Sequence, residues 1–431
     1  MGKIKVSILL FGILFLHLSC TTDSNGDVDD TESPGDSTSA PKTLSDWEEG
    51  YLDIHAINTG KGEATFFIMP DGTTMLVDAS SSLISSSETP PGFPTRPNNT
   101  KSSGQWISTY IRNTMQKFQE VKLDYIMLSH FHPDHMGGYS DDLPLSQNGD
   151  YRLSGVTEVG DEIPFDHVVD RNWPDYDYPV PLNSSRMNNY NKFLNWHIEN
   201  RGATVESFNT GAKDQIVLKK SPEKYPGFEI RNIASNGKVW TGEGNDYKNT
   251  FPALDNLVQS EYPSENDCSI AFRLSYGEFD YFSGGDLNFQ AEDKAPWQNI
   301  EAAVAPVIGQ VDAIKANHHG TYDALSKPFL KALKPRTIVI QAWRVVQPRL
   351  ATLEKIYSTE SYSGAKDVFI TNMTQSKKQE IQRFIERLRS TQGHVVIRVK
   401  PGGESYSVYV LDETDEKNYR VKEVYGPYSS K

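Results

Sequence analysis

The segment Ser129-His130-Phe131-His132-Pro133-Asp134-His135 places three imidazoles and a carboxylate within six residues of one another. Imidazole nitrogens suit zinc and other borderline metals, and a carboxylate tolerates harder ones. In a turn after a strand, His130 and His132 can face one cation while Asp134 and His135 face a second. Where proteins hold two such ions to activate water, the ions sit roughly 3.5–4 Å apart. A solvated loop needs no such density of ligands, so core packing or solubility does not account for the pattern. The isolated His55, His167 and His197 carry no comparable signal, and each is expected to be satisfied by an ordinary backbone or surface partner.

Something rigid must hold these ligands. The continuous apolar run 123–128 reads as a buried strand that delivers the histidine motif at its carboxyl end. Ahead of it, the runs 51–57, 64–69 and 73–78 read as a three-stranded meander, with Asp71-Gly72 as a tight hairpin and Asp78 at its close. Trp106, Ile107, Tyr110, Ile111, Met115 and Phe118 recur at spacings of three and four, which predicts an amphipathic helix.

Residues 139–265 alternate polar and aromatic stretches around one helix signal at Met187, Tyr190, Phe193, Leu194 and Ile198. They read as a long loop-rich insertion, whose aromatic loops 172–179 and 240–245 suit either a substrate wall or plain surface. Regularity returns with a hairpin, 269–276 and 279–282, which runs into Ser283-Gly-Gly-Asp286. Then Asp312-Ala-Ile-Lys-Ala-Asn317 leads to His318-His319-Gly320. Helices are predicted near 325–333, 350–357 and 376–388, strands at 337–341 and 367–370, and a β-rich tail at 394–399 and 406–411. No internal repeat is visible, though two strand-rich halves are.

With 431 residues, 37% hydrophobic and 11% aromatic, the chain can bury a full core, which argues against both a disordered chain and a polytopic membrane protein. One large domain, 48–431, is the preferred division. The formal charge of −14 would repel a long polyanion and so argues against nucleic acid as a partner, although acidic excess also serves ordinary solubility. Cys20 and Cys268 are the two cysteines, too few for a disulfide framework.

The front of the chain reads as an address. Lys3 and Lys5 precede an apolar run, 6–18, long enough for a signal-peptide core but short for a membrane span. Leu18-Ser19-Cys20 closes it and resembles a bacterial lipoprotein signal, residues 1–19, whose cysteine is lipidated. Residues 20–47, rich in Asp, Ser, Pro and Gly, read as a flexible acidic linker. A lipid at Cys20 on such a leash would hold a soluble domain at a membrane, periplasmic or at the cell surface.

The motif His130-x-His132-x-Asp134-His135 after a strand resembles the hallmark of the metallo-β-lactamase superfamily, over nearly all of residues 50–411. Asn58-Thr-Gly60-Lys-Gly62-Glu-Ala64, Asp71-Gly-Thr-Thr-Met-Leu-Val-Asp78, Asn266-Asp-Cys-Ser269, Gly285-Asp286 and His318-His-Gly320 are similar to the subgroup of ComEC-type DNA-uptake domains and secreted phosphorylcholine esterases. The resemblance implies an α/β fold, a four-layer αββα sandwich, and two divalent metal ions, most often zinc, with manganese as an alternative. It implies metal ligands His130, His132, Asp134, His135, a bridging Asp286, and His318 from the histidine pair. Asp134 would orient the attacking water, His319 would orient its neighbour or contact substrate, and His318 or His319 would assist the leaving group. Many superfamily members carry a further histidine before the bridging aspartate. Here Glu265, Asn266 and Asp267 stand in its place, so the third ligand of the first metal is left open among Glu265, Asp267 and another residue, and Asp267 reads equally well as an ordinary loop acid. The implied activity is hydrolysis, by metal-activated water, of a phosphodiester or related ester on a small molecule or cell surface outside the cytoplasm. A ComEC-type nuclease and a non-catalytic surface-binding lipoprotein remain as alternatives.

Overall fold

The structure is a computed structural model that describes Gly2 and residues 42–83, 89–289 and 295–431. The expected signal, apart from Gly2, together with Cys20 and the linker as far as residue 41, lies outside the described residues. The described residues from Lys42 onward form one unit by contact. From Lys42 onward the expected linker is attached to it: Thr43 bridges Arg420, and Arg398 donates to Ser45.

The opening meander is β1 (Leu52–Ala56), β2 (Thr65–Ile68) and β3 (Thr74–Val77), antiparallel throughout. The predicted helix is α1 (Ser103–Thr114), started by a capping box in which Ser102 and Gln105 satisfy each other's backbone N–H. Next come β4 (Leu123–Met127), the single turn α2 (Pro133–Met136), α3 (Val156–Glu162), β5 (Phe165–Asp170), α4 (Ser185–Arg201) and β6 (Thr204–Ser207). The chain continues through β7 (Phe228–Ser235), β8 (Lys238–Trp240), β9 (Tyr247–Asn249), β10 (Ala271–Tyr276) and β11 (Phe279–Ser283). Then follow α5 (Ile300–Ile308), β12 (Ala313–Lys315), α6 (Lys327–Leu333), β13 (Thr337–Ile340), α7 (Leu350–Tyr357) and β14 (Asp367–Ile370). The helix expected at 376–388 is broken instead into α8 (Gln375–Glu380) and α9 (Gln382–Ile385), because Ile381 leaves helical geometry at φ −102°, ψ 21°. β15 (Leu388–Ser390), β16 (His394–Val399), β17 (Ser405–Leu411) and β18 (Val421–Ser429) complete the chain.

Among the described residues the strands form two nine-stranded sheets, ordered β18-β17-β16-β1-β2-β3-β4-β5-β6 and β15-β14-β13-β12-β11-β10-β7-β8-β9. The sheets face each other through Ile54, Phe67, Met75 and Tyr125 on one side and Phe272, Leu274, Tyr281 and Val339 on the other. Period-two alternation sends Phe66, Leu76 and Ile126 to the opposite face, where Ile107 and Ile111 of α1 and Phe193 of α4 cover them. On the far side of the second sheet, Phe282, Ile314 and Ile338 pack against Val304, Ile308, Phe329 and Leu353 of α5 to α7. The layering is therefore αββα. Burial on both faces of β4 explains its unbroken apolar run, since Leu123 and Ile126 face helices while Tyr125 and Met127 face the second sheet.

The segment 139–265 is more than a loop-rich insertion. β5 and β6 extend the first sheet in parallel with β4, and β7 pairs with β10 at the heart of the second. Short edge strands such as Thr204–Ser207 and Tyr247–Asn249 are mostly exposed, so they lack the apolar alternation by which strands are recognised.

Candidate metal centre

The histidine motif leaves the carboxyl end of β4 and bends at once into α2, with His132 at its N-cap and Pro133 in its first position, where a missing N–H costs nothing. Asp78, at the end of neighbouring β3, anchors the bend. Ser129 donates to it from N at 2.8 Å and from Oγ at 2.7 Å, and His135 Nδ1 lies 2.7 Å from the same carboxylate. With Nδ1 committed to Asp78, His135 turns Nε2 toward the cleft. A glycine secures the approach from the other side. At Gly62, φ +134°, an added Cβ would lie 2.2 Å from Asp134 O, and the next residue's N–H, that of Glu63, donates to that same carbonyl at 2.9 Å.

Asp286 and the histidine pair arrive from the second sheet. Asp286 follows β11, and His318 and His319 follow β12 in an unusual turn, with φ +44° and +51°. Asp78, at φ +61°, shares the left-handed region, so three non-glycine residues hold this costly conformation at one site. His319 Nδ1 lies 3.1 Å from the Gln341 carbonyl and 3.0 Å from Glu63 Oε1, which leaves Nε2 facing inward.

Three donor atoms then converge. His135 Nε2 is 3.2 Å from Asp286 Oδ2 and 3.3 Å from His319 Nε2, and His319 Nε2 is 3.4 Å from Asp286 Oδ2. Asp134 Oδ2 joins them at 2.9 Å from His319 Nε2 and 3.8 Å from His135 Nε2. Tetrahedral zinc with bonds of about 2.0–2.1 Å requires ligand edges of about 3.4 Å, so the triangle of His135, Asp286 and His319 matches the metal it is chemically suited to hold, with Asp134 beside it. A second pair stands beside it: His130 Nε2 lies 3.1 Å from His132 Nδ1 and 3.8 Å from Asp286 Oδ2, so Asp286 is placed between the two groups.

The electrostatics agree with a cation site. Burial disfavours a charged imidazole at His135, yet Asp286 and Asp78 outweigh it and push the group up to about 10. Burial likewise opposes charge on His319, and Asp286 and Glu63 drive it well above the ordinary imidazole range. Burial would raise the Asp134 carboxyl, but the hydrogen bond to His319 and the charge of His135 hold it below the usual carboxylate range. The surrounding carboxylates thus demand positive charge, as protons or as metal.

Glu63, His135, Asp286 and His319 are also mutually close enough, within 4.8 Å, to be a ligand set of their own. Chemistry favours Asp134 over Glu63. Lys315 Nζ already sits 2.8 Å from Glu63 Oε2 and 3.8 Å from Asp286 Oδ1, so a cation fills that side, and both Nδ1 atoms there are engaged by Asp78, Gln341 and Glu63. Glu63 and Lys315, absent from the sequence-derived set, brace the ligands from behind.

Within the histidine pair the placement is the reverse of the expectation. His319, not His318, joins the cluster, because consecutive left-handed residues rotate His318 outward. His318 Nδ1 lies 3.0 Å from Asp323 Oδ1, and its Nε2 lies 3.2 Å from Asn266 Nδ2 and 3.9 Å from Asp286 Oδ2. Of the expected substitutes for a third ligand beside His130 and His132, Glu265 is engaged elsewhere, and Asp267 is engaged through one oxygen, its Oδ1 being buried without a hydrogen-bond partner among the described residues. Glu265 accepts from Arg171 Nε and Nη2 at 2.8 and 2.6 Å and from Phe131 N at 2.8 Å, while Asp267 Oδ2 accepts from Ser264 N and Oγ. Of the lone histidines, His167 meets the surface residue Thr204 as expected, whereas His55 and His197 meet the buried side chains of Tyr110 and Tyr151 rather than backbone or surface partners.

No protein-family model and no curated protein matches the chain. Among solved structures it is similar to a CmlA β-hydroxylase variant, at 10% identity and TM-score 0.37, over 81% of this chain and 54% of that one. The chain thus spans about half the length of that structure. It is also similar to Zn(2+)-bound PqqB from Methylobacterium extorquens, at 10% identity and TM-score 0.34, over 80% of this chain and 99% of that one.

Proposed function

We propose that this chain is a metal-dependent hydrolase of the metallo-β-lactamase type that cleaves a phosphodiester or related ester outside the cytoplasm, tethered through lipid at Cys20. The observation that carries the reading is the convergence of Asp134, His135, Asp286 and His319 from three separate segments onto one cation-sized gap, with His130 and His132 adjoining it. Side chains 185 positions apart, Asp134 and His319, meet there at 2.9 Å.

Asp134, His135, Asp286 and His319 would hold one divalent ion, and His130 and His132, sharing Asp286, a second; zinc suits the donors best, with manganese as the alternative. Ions in such a site supply a water of lowered pKa and a polarising contact for the ester oxygen. The chain's own residues do the rest. Asp78 and Ser129 fix the ring of His135, Gln341 and Glu63 fix that of His319, and Lys315 offsets the charge of Glu63. His318, held at the edge of the cluster between Asp323 at Nδ1 and Asn266 Nδ2 at Nε2, is the candidate for assisting the departing oxygen. Sequence alone leaves this role open between His318 and His319.

A non-catalytic surface binder is the second reading, and the lack of a further close ligand beside His130 and His132 among the described residues supports it. Zinc- or manganese-loaded protein assayed on bis-p-nitrophenyl phosphate and on phosphorylcholine esters separates the two. Metal-dependent turnover abolished by Asp286→Ala supports the hydrolase; bound metal without turnover on either ester favours the binder.

A further inference from the structure

Arg186, in the first turn of α4, has no role in the scheme above. Four residues further on, Tyr190 packs its ring 6.1 Å from that of Phe131, the residue between the motif's first two histidines. Residues four apart share a helix face, so Arg186 extends the same face along the histidine loop. Glu265 and Asp134 are the anions that act on its charge. Neither neutralises it. Glu265 is already paired with the buried Arg171, and Asp134 with His319. Arg186 Nε is buried and has no hydrogen-bond partner among the described residues. A half-buried guanidinium with an unmet donor beside an acidic cleft is costly unless something anionic completes it.

We infer that Arg186 is the anion-recognising residue of this cleft, taking a non-bridging oxygen of a phosphoryl group on the substrate. A planar guanidinium fork matches phosphoryl oxygens and keeps its charge at any working pH. The assignment deepens the hydrolase reading and rests on it for the site at which the substrate reacts. It also answers the charge problem, since a protein at −14 needs a local cation to draw in an anionic diester.

The test uses the zinc-loaded protein and its R186A, R186Q and R186K variants, with phenylphosphonate binding followed by calorimetry and bis-p-nitrophenyl phosphate turnover followed in parallel. We expect R186A and R186Q to weaken phenylphosphonate by about tenfold or more, the loss of one charge-assisted hydrogen bond. KM for the diester should rise by a similar factor with a smaller change in kcat, R186K should recover part of both, and zinc content should stay constant. Unchanged phenylphosphonate affinity, a wild type that does not bind it, or a loss that follows zinc content overturns the assignment. Weakened phenylphosphonate binding in a protein whose wild type cleaves no diester retains Arg186 as an anion site and removes the hydrolase reading instead. If R186A does not fold, R186Q and R186K carry the same comparison.

Discussion

Lys315 Nζ lies 2.8 Å from Glu63 Oε2, and both side chains are almost wholly buried, on the side of the ligand cluster away from Asp134. The pair ties the two sheets together behind the candidate metal centre. Burial opposes charge on both, and each sustains the other's: Lys315 holds the Glu63 carboxyl down, and Glu63 and Asp286 hold the Lys315 ammonium up.

Removing one partner should therefore hurt more than removing both. Lys315→Met removes the ammonium from one side of the buried Glu63 carboxylate, leaves His319 as its remaining close partner, and is expected to cost up to about 3 kcal/mol. Denaturant unfolding of the metal-free protein checks this. The double variant with Glu63→Gln should recover at least half of the loss, and equal losses in the single and double variants would count against the pair.

Gly62 is a second pressure point. Its left-handed backbone and the 2.2 Å approach of an added Cβ to Asp134 O mean that Gly62→Ala must push the meander away from the histidine loop. A cost of about 1–3 kcal/mol is expected from the backbone alone. Because the strain falls on Asp134, zinc affinity should drop with stability. A variant with wild-type melting and wild-type zinc affinity would contradict the packing described here.

The acid limb of stability should depend on His394. Its Nδ1 accepts a hydrogen bond from Asn58 N at 2.9 Å, which requires the neutral ring, and burial pushes the group down to about 3. The folded pKa lies below that of the unfolded chain, about 6.5. Above pH 6.5 both states are neutral and no penalty exists. As pH falls from 6.5 toward 3 the unfolded chain takes up a proton that the folded one refuses, so stability declines by up to about 1.4 kcal/mol per pH unit from this residue. In metal-free protein, His394→Gln should flatten the slope of unfolding free energy between pH 6 and 4 relative to wild type; parallel slopes would refute the assignment.

The histidine motif was legible because it ends a strand buried on both faces, and Asp286 because it closes a hairpin of regular alternation. The layers followed from the same apolar patterning. Glu63 and Lys315 were not legible as a pair: Glu63 lies in the loop before β2 of the first sheet and Lys315 in β12 of the second, and a lone lysine in a short strand has the same appearance whether it faces solvent or a carboxylate. Nor does spacing decide between His318 and His319, since their orientation is set by two successive left-handed residues. The strands within 139–265 escaped notice for a different reason: several are short edge strands whose exposed faces need no hydrophobic residues.

Zinc stoichiometry of His319→Ala beside His318→Ala, measured by elemental analysis on protein purified without chelator, tests the central claim most directly. The structure predicts that His319→Ala loses the metal held with Asp134, His135 and Asp286 while His318→Ala retains it. Loss in His318→Ala with retention in His319→Ala, or a wild type that binds no divalent metal at all, would contradict the account.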